Sequence, residues 1–136
     1  MTGEIYSVMA KHSILGRLMD QGGSVDEHSF RKGVVLSAEP GGLLNHLFAV
    51  RAEGLFGAVP ETGLRSFLSG ILIGHEIRAM YEMAGLDGPI TLIGGPDITR
   101  LYSDAMSLAG HEVTAIAFEE ATLNGLFLLQ EAIRND

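Results

Sequence analysis

The chain has no cysteine and no tryptophan, and its 136 residues include only four prolines and an aromatic share of 7%. Without thiols it forms neither disulfides nor Cys-based metal sites, which excludes the disulfide-stapled secreted class and makes an intracellular, cytoplasmic setting the expectation. Basic residues are also scarce: nine Lys and Arg face seventeen Asp and Glu, for a formal charge of -8. That surplus repels nucleic-acid phosphates and anionic membranes, and the few basic side chains do not cluster, so neither is expected as a partner. Long apolar runs are absent too. The longest, around Gly70 to Gly74, is far below the roughly 20 residues of a membrane helix, and Lys11 and His12 interrupt the stretch where a signal peptide would be apolar.

Two well-known chemical motifs are missing. No Walker sequence G-x-x-x-x-G-K-[ST] occurs, and Gly22-Gly23-Ser24 lacks the lysine, so it reads as a helix-capping loop. His75-Glu76 opens like the zinc-protease signature H-E-x-x-H, but the second histidine would fall at Ala79. The other histidines, His12, His28, His46 and His111, show no metal-ligand spacing and read as surface or satisfied core.

What is present is 46% hydrophobic residues in a length that suits one domain, 1–136, able to bury about two thirds of its unfolded surface. The first two thirds read as helical. Thr2 is a candidate N-cap for a helix through Met9 to Lys11, and Ser13 to Met19 adds a turn or two. After a break at Asp20 to Ser24, Ser24 or Asp26 caps a helix through Phe30 to Leu36. Pro40-Gly41-Gly42 ends that helix, and Leu43, Leu44, Leu47, Phe48 and Val50 mark the next. From Glu61 or Thr62 to about Ala84, Leu64, Phe67, Leu68, Ile71 and Leu72 recur at helical spacing, which predicts a buried helix. Gly70 and Gly74 inside it each cost roughly 1 kcal/mol against Ala, a cost that close packing of the helix on a sheet would offset.

The period changes after Gly85 to Pro89. Ile90 to Ile93 reads as a strand, Ile98 to Ala109 as a helix, Val113 to Phe118 as a second strand, and Glu120 to Ile133 as a closing helix. Strand, helix, strand is a right-handed crossover unit with parallel strands. Two strands alone leave open edges, where sheets of about four to six are usual. Either another chain completes the sheet, or the polypeptide is the C-terminal part of something larger, the reading preferred here. The stretch PITLIGGPDITRLY, Pro89 to Tyr102, is the most informative: an apolar run, two glycines, then a helix start. A strand ending in Gly94-Gly95 lets the backbone bend and a flat ligand approach with no Cβ in the way.

Four segments in order, MTGEIYSVMAKHSILGRLM, GGLLNHLFAVRAEGLFG, SFLSGILIGHEIRAMY and LIGGPDITRLYSDAM, together with the ending EEATLNGLFLL, resemble the 2-dehydro-3-deoxygalactonokinase family. The resemblance implies an α/β fold, mostly helical with a short parallel sheet, as the C-terminal lobe of an actin-like, ribonuclease-H-like sugar kinase. In such enzymes ATP and sugar bind between two lobes, and the phosphate-binding hairpins and catalytic Asp would precede Met1. No catalytic or metal-binding residue is therefore expected here, and ATP and Mg²⁺ are implied cofactors held largely by the other lobe. LIGGP is similar to the superfamily's adenosine motif, which assigns Gly94, Gly95 and Pro96 to the nucleotide. EEATLNGLFLL is similar to the E-x-T-x-L-G-A-A helix, with Asn124 before Gly125 and bulky Leu126 and Phe127 where the superfamily often has alanines. The implied partners are a nucleotide and a small sugar acid; the oligomeric state stays open, and the piece alone should be inactive.

The remaining residues have plainer readings. His75 shares the stripe of Leu68, Ile71 and Leu72 and reads as a packed histidine bonded to a backbone carbonyl, ahead of a role at the cleft. Met80, Met83 and Met106 read as core fillers, and Asp26-Glu27 and Glu119-Glu120 as helix-start acids. Two other function classes remain as alternatives. Glu119 after the second strand also suits a Rossmann-like dinucleotide half-domain, although Gly94-Gly95-Pro96-Asp97-Ile98-Thr99 is not G-x-G-x-x-G. A non-catalytic module that binds a partner through its unfinished sheet is the other.

Overall fold

The longest apolar periodicity becomes the longest helix. In the computed structural model, which describes residues 1–20, 22–85 and 88–135, the elements run α1 (Thr2–His12), a 3-10 turn (Leu15–Leu18), α2 (Glu27–Ser37), α3 (Gly42–Leu55), α4 (Leu64–Ala84), β1 (Ile90–Gly94), α5 (Pro96–Leu108), β2 (Val113–Ala117) and α6 (Phe118–Asn135). They divide into two units, one up to residue 86 and one from 87 onward. Gln21 in the first expected break, and Leu86 and Asp87 in the second, lie outside the described residues.

In the first unit α4 is the centre. Leu64, Phe67, Leu68 and Ile71, at spacings of three and four, are fully buried and meet Ala10 of α1, Leu47 and Val50 of α3, and Leu15, Met19 and Val59 of the connections. Each large side chain so buried contributes about 1.5–3 kcal/mol. Asp26 is the N-cap of α2, as its sequence position suggests: its carboxylate accepts the Ser29 N–H at 2.7 Å, and its own N–H donates to Ser66 Oγ of α4 at 3.0 Å. Thr2 is not a cap. Helix α1 begins at Thr2 with Met1 in the cap position, so no hydroxyl is available to its first N–H groups.

The two glycines of α4 are explained by α2. A Cβ on Gly70 would overlap the carbonyl oxygen of Phe30 and stand 3.0 Å from the Val34 nitrogen; one on Gly74 would overlap Ser37 Oγ. From the other side, a Cβ on Gly33 would overlap the Phe67 carbonyl oxygen and stand 2.9 Å from the Ile71 nitrogen. The two helices touch backbone to backbone, and the gain that offsets the glycine cost is helix against helix, not helix against sheet as the sequence suggested. Beside this contact Lys32 pairs with Glu53 of α3, donates to the Ala58 carbonyl at 3.2 Å, and lies over the Phe67 ring at 5.8 Å from its centroid. Met83 also departs from expectation. It is 88% exposed, while Met80 is half-buried and Met106 fully buried.

The second unit is the expected crossover. β1 and β2 are parallel and in register from Ile90 opposite Val113 to Gly94 opposite Ala117, with α5 between them in sequence. Among the described residues these two strands are the whole sheet. The connections are minimal: Gly95 alone separates β1 from α5, and β2 runs directly into α6. No described helix is long and apolar enough to cross a membrane.

The backbone contact fixes the sign of a substitution. Helix propensity alone would make Gly70→Ala stabilising by about 1 kcal/mol. The added methyl instead meets a carbonyl that cannot move aside as a side chain would, an overpacking worth about 1–3 kcal/mol. Gly70→Ala should therefore lower the urea midpoint, with an unchanged slope. A higher midpoint would show that α2 and α4 are not held this closely.

Candidate functional site

The turn from β1 to α5 is built from three residues. Gly94 ends the strand, Gly95 is the N-cap with φ -70° and ψ 153°, and Pro96 is the first helical residue, where its missing N–H costs nothing. Thr99 closes the first turn: its N–H and Oγ1 donate to the Gly95 carbonyl at 3.1 and 3.0 Å, and Oγ1 lies 3.1 Å from the Pro96 carbonyl.

Neither glycine is required by this geometry. Positive φ occurs at six glycines, and Gly94 and Gly95 are not among them; the conformation at Gly95 suits any residue. The bend comes from Pro96 and the helix start, not from glycine's conformational freedom. Packing does not demand them either. A Cβ on Gly94 would make ordinary contacts of 3.4 Å with the methyls of Ile98 and Thr99, and one on Gly95 would meet nothing within 4 Å. The residues thus leave a bare stretch of exposed backbone. Beside it Leu92, Ile93, Ile98, Thr99 and Tyr102 line a recess of about 260 Å³, below the roughly 300–1,000 Å³ of a complete small-molecule site. This is room for part of a ligand.

The turn is also a helix start. The N–H groups of Asp97 and Ile98 begin a helix and have no acceptor within it. Asp97, exposed in the first turn, sets a carboxylate beside them, which offsets the field that would otherwise favour a phosphate. Hydroxyls and ring nitrogens suit this helix start better than an anion.

A second polar pair lies in the first unit. His46 of α3 and His75 of α4 are joined Nδ1 to Nε2 at 2.8 Å, with ring centroids 5.0 Å apart. His75 was expected to bond a backbone carbonyl; its partner is another imidazole, 29 residues away. The bond needs one nitrogen with a proton and one without. His46 is 1% exposed, and its Nε2 has no hydrogen-bond partner among the described residues. Burial first, then His46, then the Arg78 charge, push the His75 pKa down. No group of three His, Asp or Glu side chains placed to hold a metal ion occurs among the described residues. Glu119 and Glu120 occupy the exposed first turn of α6, where the reading as helix-start acids put them.

The family model for 2-keto-3-deoxy-galactonokinase matches residues 1–129. The chain belongs to this kinase family. It is 34% identical over 136 residues to the 2-dehydro-3-deoxygalactonokinase of Escherichia coli K12, covering 99% of this chain and 46% of the relative. To a Rhizobium meliloti protein named as a probable enzyme of the same kind it is 32% identical, covering 98% of this chain and 44% of that protein. The crystal structure of a Sinorhizobium meliloti protein named for the same activity superposes with a TM-score of 0.86 at 32% identity, covering 98% of this chain and 45% of the other. The chain therefore spans less than half the length of these 2-dehydro-3-deoxygalactonokinase relatives, and the resemblance carried by its five sequence blocks holds. Membership of a kinase family sets aside the dinucleotide half-domain.

The histidine pair gives this family member a pH signature. A pKa lowered on folding means that the unfolded chain binds the proton more readily, so the contribution of His75 to stability is complete above its ordinary value of 6.5 and is lost as pH falls through the interval down to the lowered folded value. Wild-type stability should fall between pH 7 and 5 more steeply than that of His75→Gln, compared by urea titration. Parallel curves would show that the pair does not titrate this way.

Proposed function

We propose that this chain is the nucleotide-binding, C-terminal lobe of an actin-like, ribonuclease-H-like sugar-acid kinase, and that Gly94, Gly95 and Pro96 lie against the adenosine of ATP. The complete enzyme would transfer the γ-phosphate to the terminal hydroxyl of 2-dehydro-3-deoxygalactonate, in galactose catabolism in the cytoplasm. The observation that carries this reading is the bare backbone at Gly95, where a side chain would meet nothing in the protein. A glycine that the fold does not need is accounted for by a ligand that does.

The chemistry divides accordingly. A purine can lie on the exposed Gly94-Gly95 peptides and reach the recess lined by Leu92, Ile98 and Tyr102, with apolar contact on one face and helix-start N–H groups at its edge. These residues bind and orient; none moves a proton. ATP supplies the transferable phosphoryl group, and phosphoryl transfer requires charge-neutralising donors, Mg²⁺ and a base near the acceptor hydroxyl. The donor sets for those tasks are assigned, in this reading, to the part of the family fold outside the matched span. By itself this chain should not catalyse transfer.

Gly95→Val is a discriminating test because the fold tolerates it: the site is open and the backbone lies in the extended region that β-branched residues favour. In a full-length enzyme of this family carrying this lobe, the substitution should leave the melting temperature unchanged and weaken ATP binding by about tenfold or more, the equivalent of about 1.4 kcal/mol. Calorimetric titration with ATP measures it. Unaltered affinity would remove the turn from the nucleotide site, and a melting shift with NAD but not ATP would overturn the kinase reading.

A further inference from the structure

Helix α3 carries a second apolar row that the core does not use. At about 100° per residue, Leu43, Leu47 and Val50 share the side that packs into the first unit, while Leu44, Phe48 and Leu55 line a separate side and are 83%, 65% and 58% exposed. Asn45 and Glu53 occupy the remaining side. A surface helix ordinarily buries its apolar stripe and turns polar groups outward. Three large apolar side chains in one exposed row, followed by Phe56 at 88% just past the helix end, mark a contact surface instead.

The spacing of the row says what fits it. Leu44, Phe48, Arg51 and Leu55 are separated by four, three and four residues, the spacing at which one helix seats its side chains between those of another. The row is also its own complement. Laid antiparallel against a copy of itself, it sets Leu44 opposite Leu55 and Phe48 opposite Arg51, and each pair occurs twice, as a two-fold contact requires. Arg51 is half-buried and carries the row's one charge, and it makes no hydrogen bond or ion pair among the described residues. A guanidinium over an aromatic face is favourable, and the antiparallel copy supplies that face in Phe48. A parallel copy would set Arg51 against Arg51, a like-charge contact. A foreign partner would have to bring its own aromatic or acidic group to the same place.

We propose that α3 is a self-association surface, through which two copies of this chain pair as antiparallel helices about a two-fold axis, with Arg51 of each over Phe48 of the other. The helix has 14 residues, so the contact belongs to the small, reversible class that buries less than about 1,200 Å² in total. No nucleotide or substrate contact enters this pairing, and it stands apart from the kinase reading.

The chain has no cysteine of its own, so introduced thiols report the pairing directly. Leu44→Cys and Leu55→Cys chains are mixed in equal amounts and oxidised. The mixed disulfide should exceed either like pair by about tenfold or more, because only opposed positions bring the Cβ atoms within bonding reach. Association through any other surface, α6 included, would not join residue 44 to residue 55. Adding Phe48→Arg to both chains should cut the mixed disulfide by about tenfold, with circular dichroism unchanged at this exposed position, and Phe48→Arg/Arg51→Phe should restore it by exchanging the two members of the pair. Like pairs as abundant as the mixed one, a yield untouched by Phe48→Arg, or no recovery in the exchanged variant would each overturn the proposal. So would the absence of the mixed disulfide in a full-length enzyme of this family carrying α3, where the rest of the fold would then be what covers the row.

Discussion

The first unit depends on a contact made where α2 and α4 carry glycine. Gly33 on α2 and Gly70 on α4 let the two helices meet at the backbone, with carbonyl oxygens occupying the positions where Cβ atoms would stand, and Gly74 admits the Ser37 hydroxyl in the same way. Once the axes are that close, Phe67 and Ile71 are carried into the core, where they lose all solvent contact, and the Asp26 cap can reach across to Ser66. The position of α4 in turn sets His75 against His46 of α3. The lowered pKa of His75 is thus a consequence of helix packing, since the burial that causes most of it follows from where α4 is held.

The same residue type stands in a different setting in the second unit. Where α2 meets α4, glycine is present because any side chain would collide. At Gly95 a side chain would collide with nothing, and the backbone conformation would accept one. Glycine costs about 0.5–1 kcal/mol in conformational entropy wherever it is used. At Gly70 the helix contact returns that cost within the chain. At Gly95 nothing within the chain does, which is the physical ground for looking outside it, to a ligand lying flat on the peptides. Asp97, two residues further on, places a carboxylate at the same helix start.

Local pattern was legible in the sequence, and long-range geometry was not. The stripe of Leu64, Phe67, Leu68 and Ile71 announced α4, and the change of period after Gly85 announced the β1-α5-β2 crossover with its parallel strands. The five blocks of family resemblance were visible because each is a local string in the right order. The partner of Gly70 was not, because a small residue announces that something comes close without saying what; a sheet and a second helix leave the same mark. The His46–His75 pair was invisible for a similar reason, since 29 residues and two helix faces separate imidazoles with no ligand spacing. Met83 failed because helical periodicity near the end of α4 continues past the point where other elements cover the helix.

Helix α6 leaves much of its apolar surface in solvent. Burying a large apolar side chain is worth about 1.5–3 kcal/mol, and seven such residues on α6, from Phe118 to Ile133, remain more than half exposed. Small domains are stable by about 5–15 kcal/mol in total, so the burial withheld at α6 is comparable with the whole stability of a domain of ordinary size. Isolated apolar residues are tolerated on surfaces, whereas on α6 they form one broad side next to the polar stripe of Glu120, Asn124 and Glu131. The same unit offers a recess of about 260 Å³ beside the Gly94-Gly95 turn, a more open one of about 880 Å³ lined by Pro89, Ser103, His111 and Glu112, and a sheet of two strands. A small recess beside the Gly94-Gly95 turn, a two-stranded sheet and an exposed apolar side on α6 occur together in the second unit of a chain that covers less than half the length of its relatives.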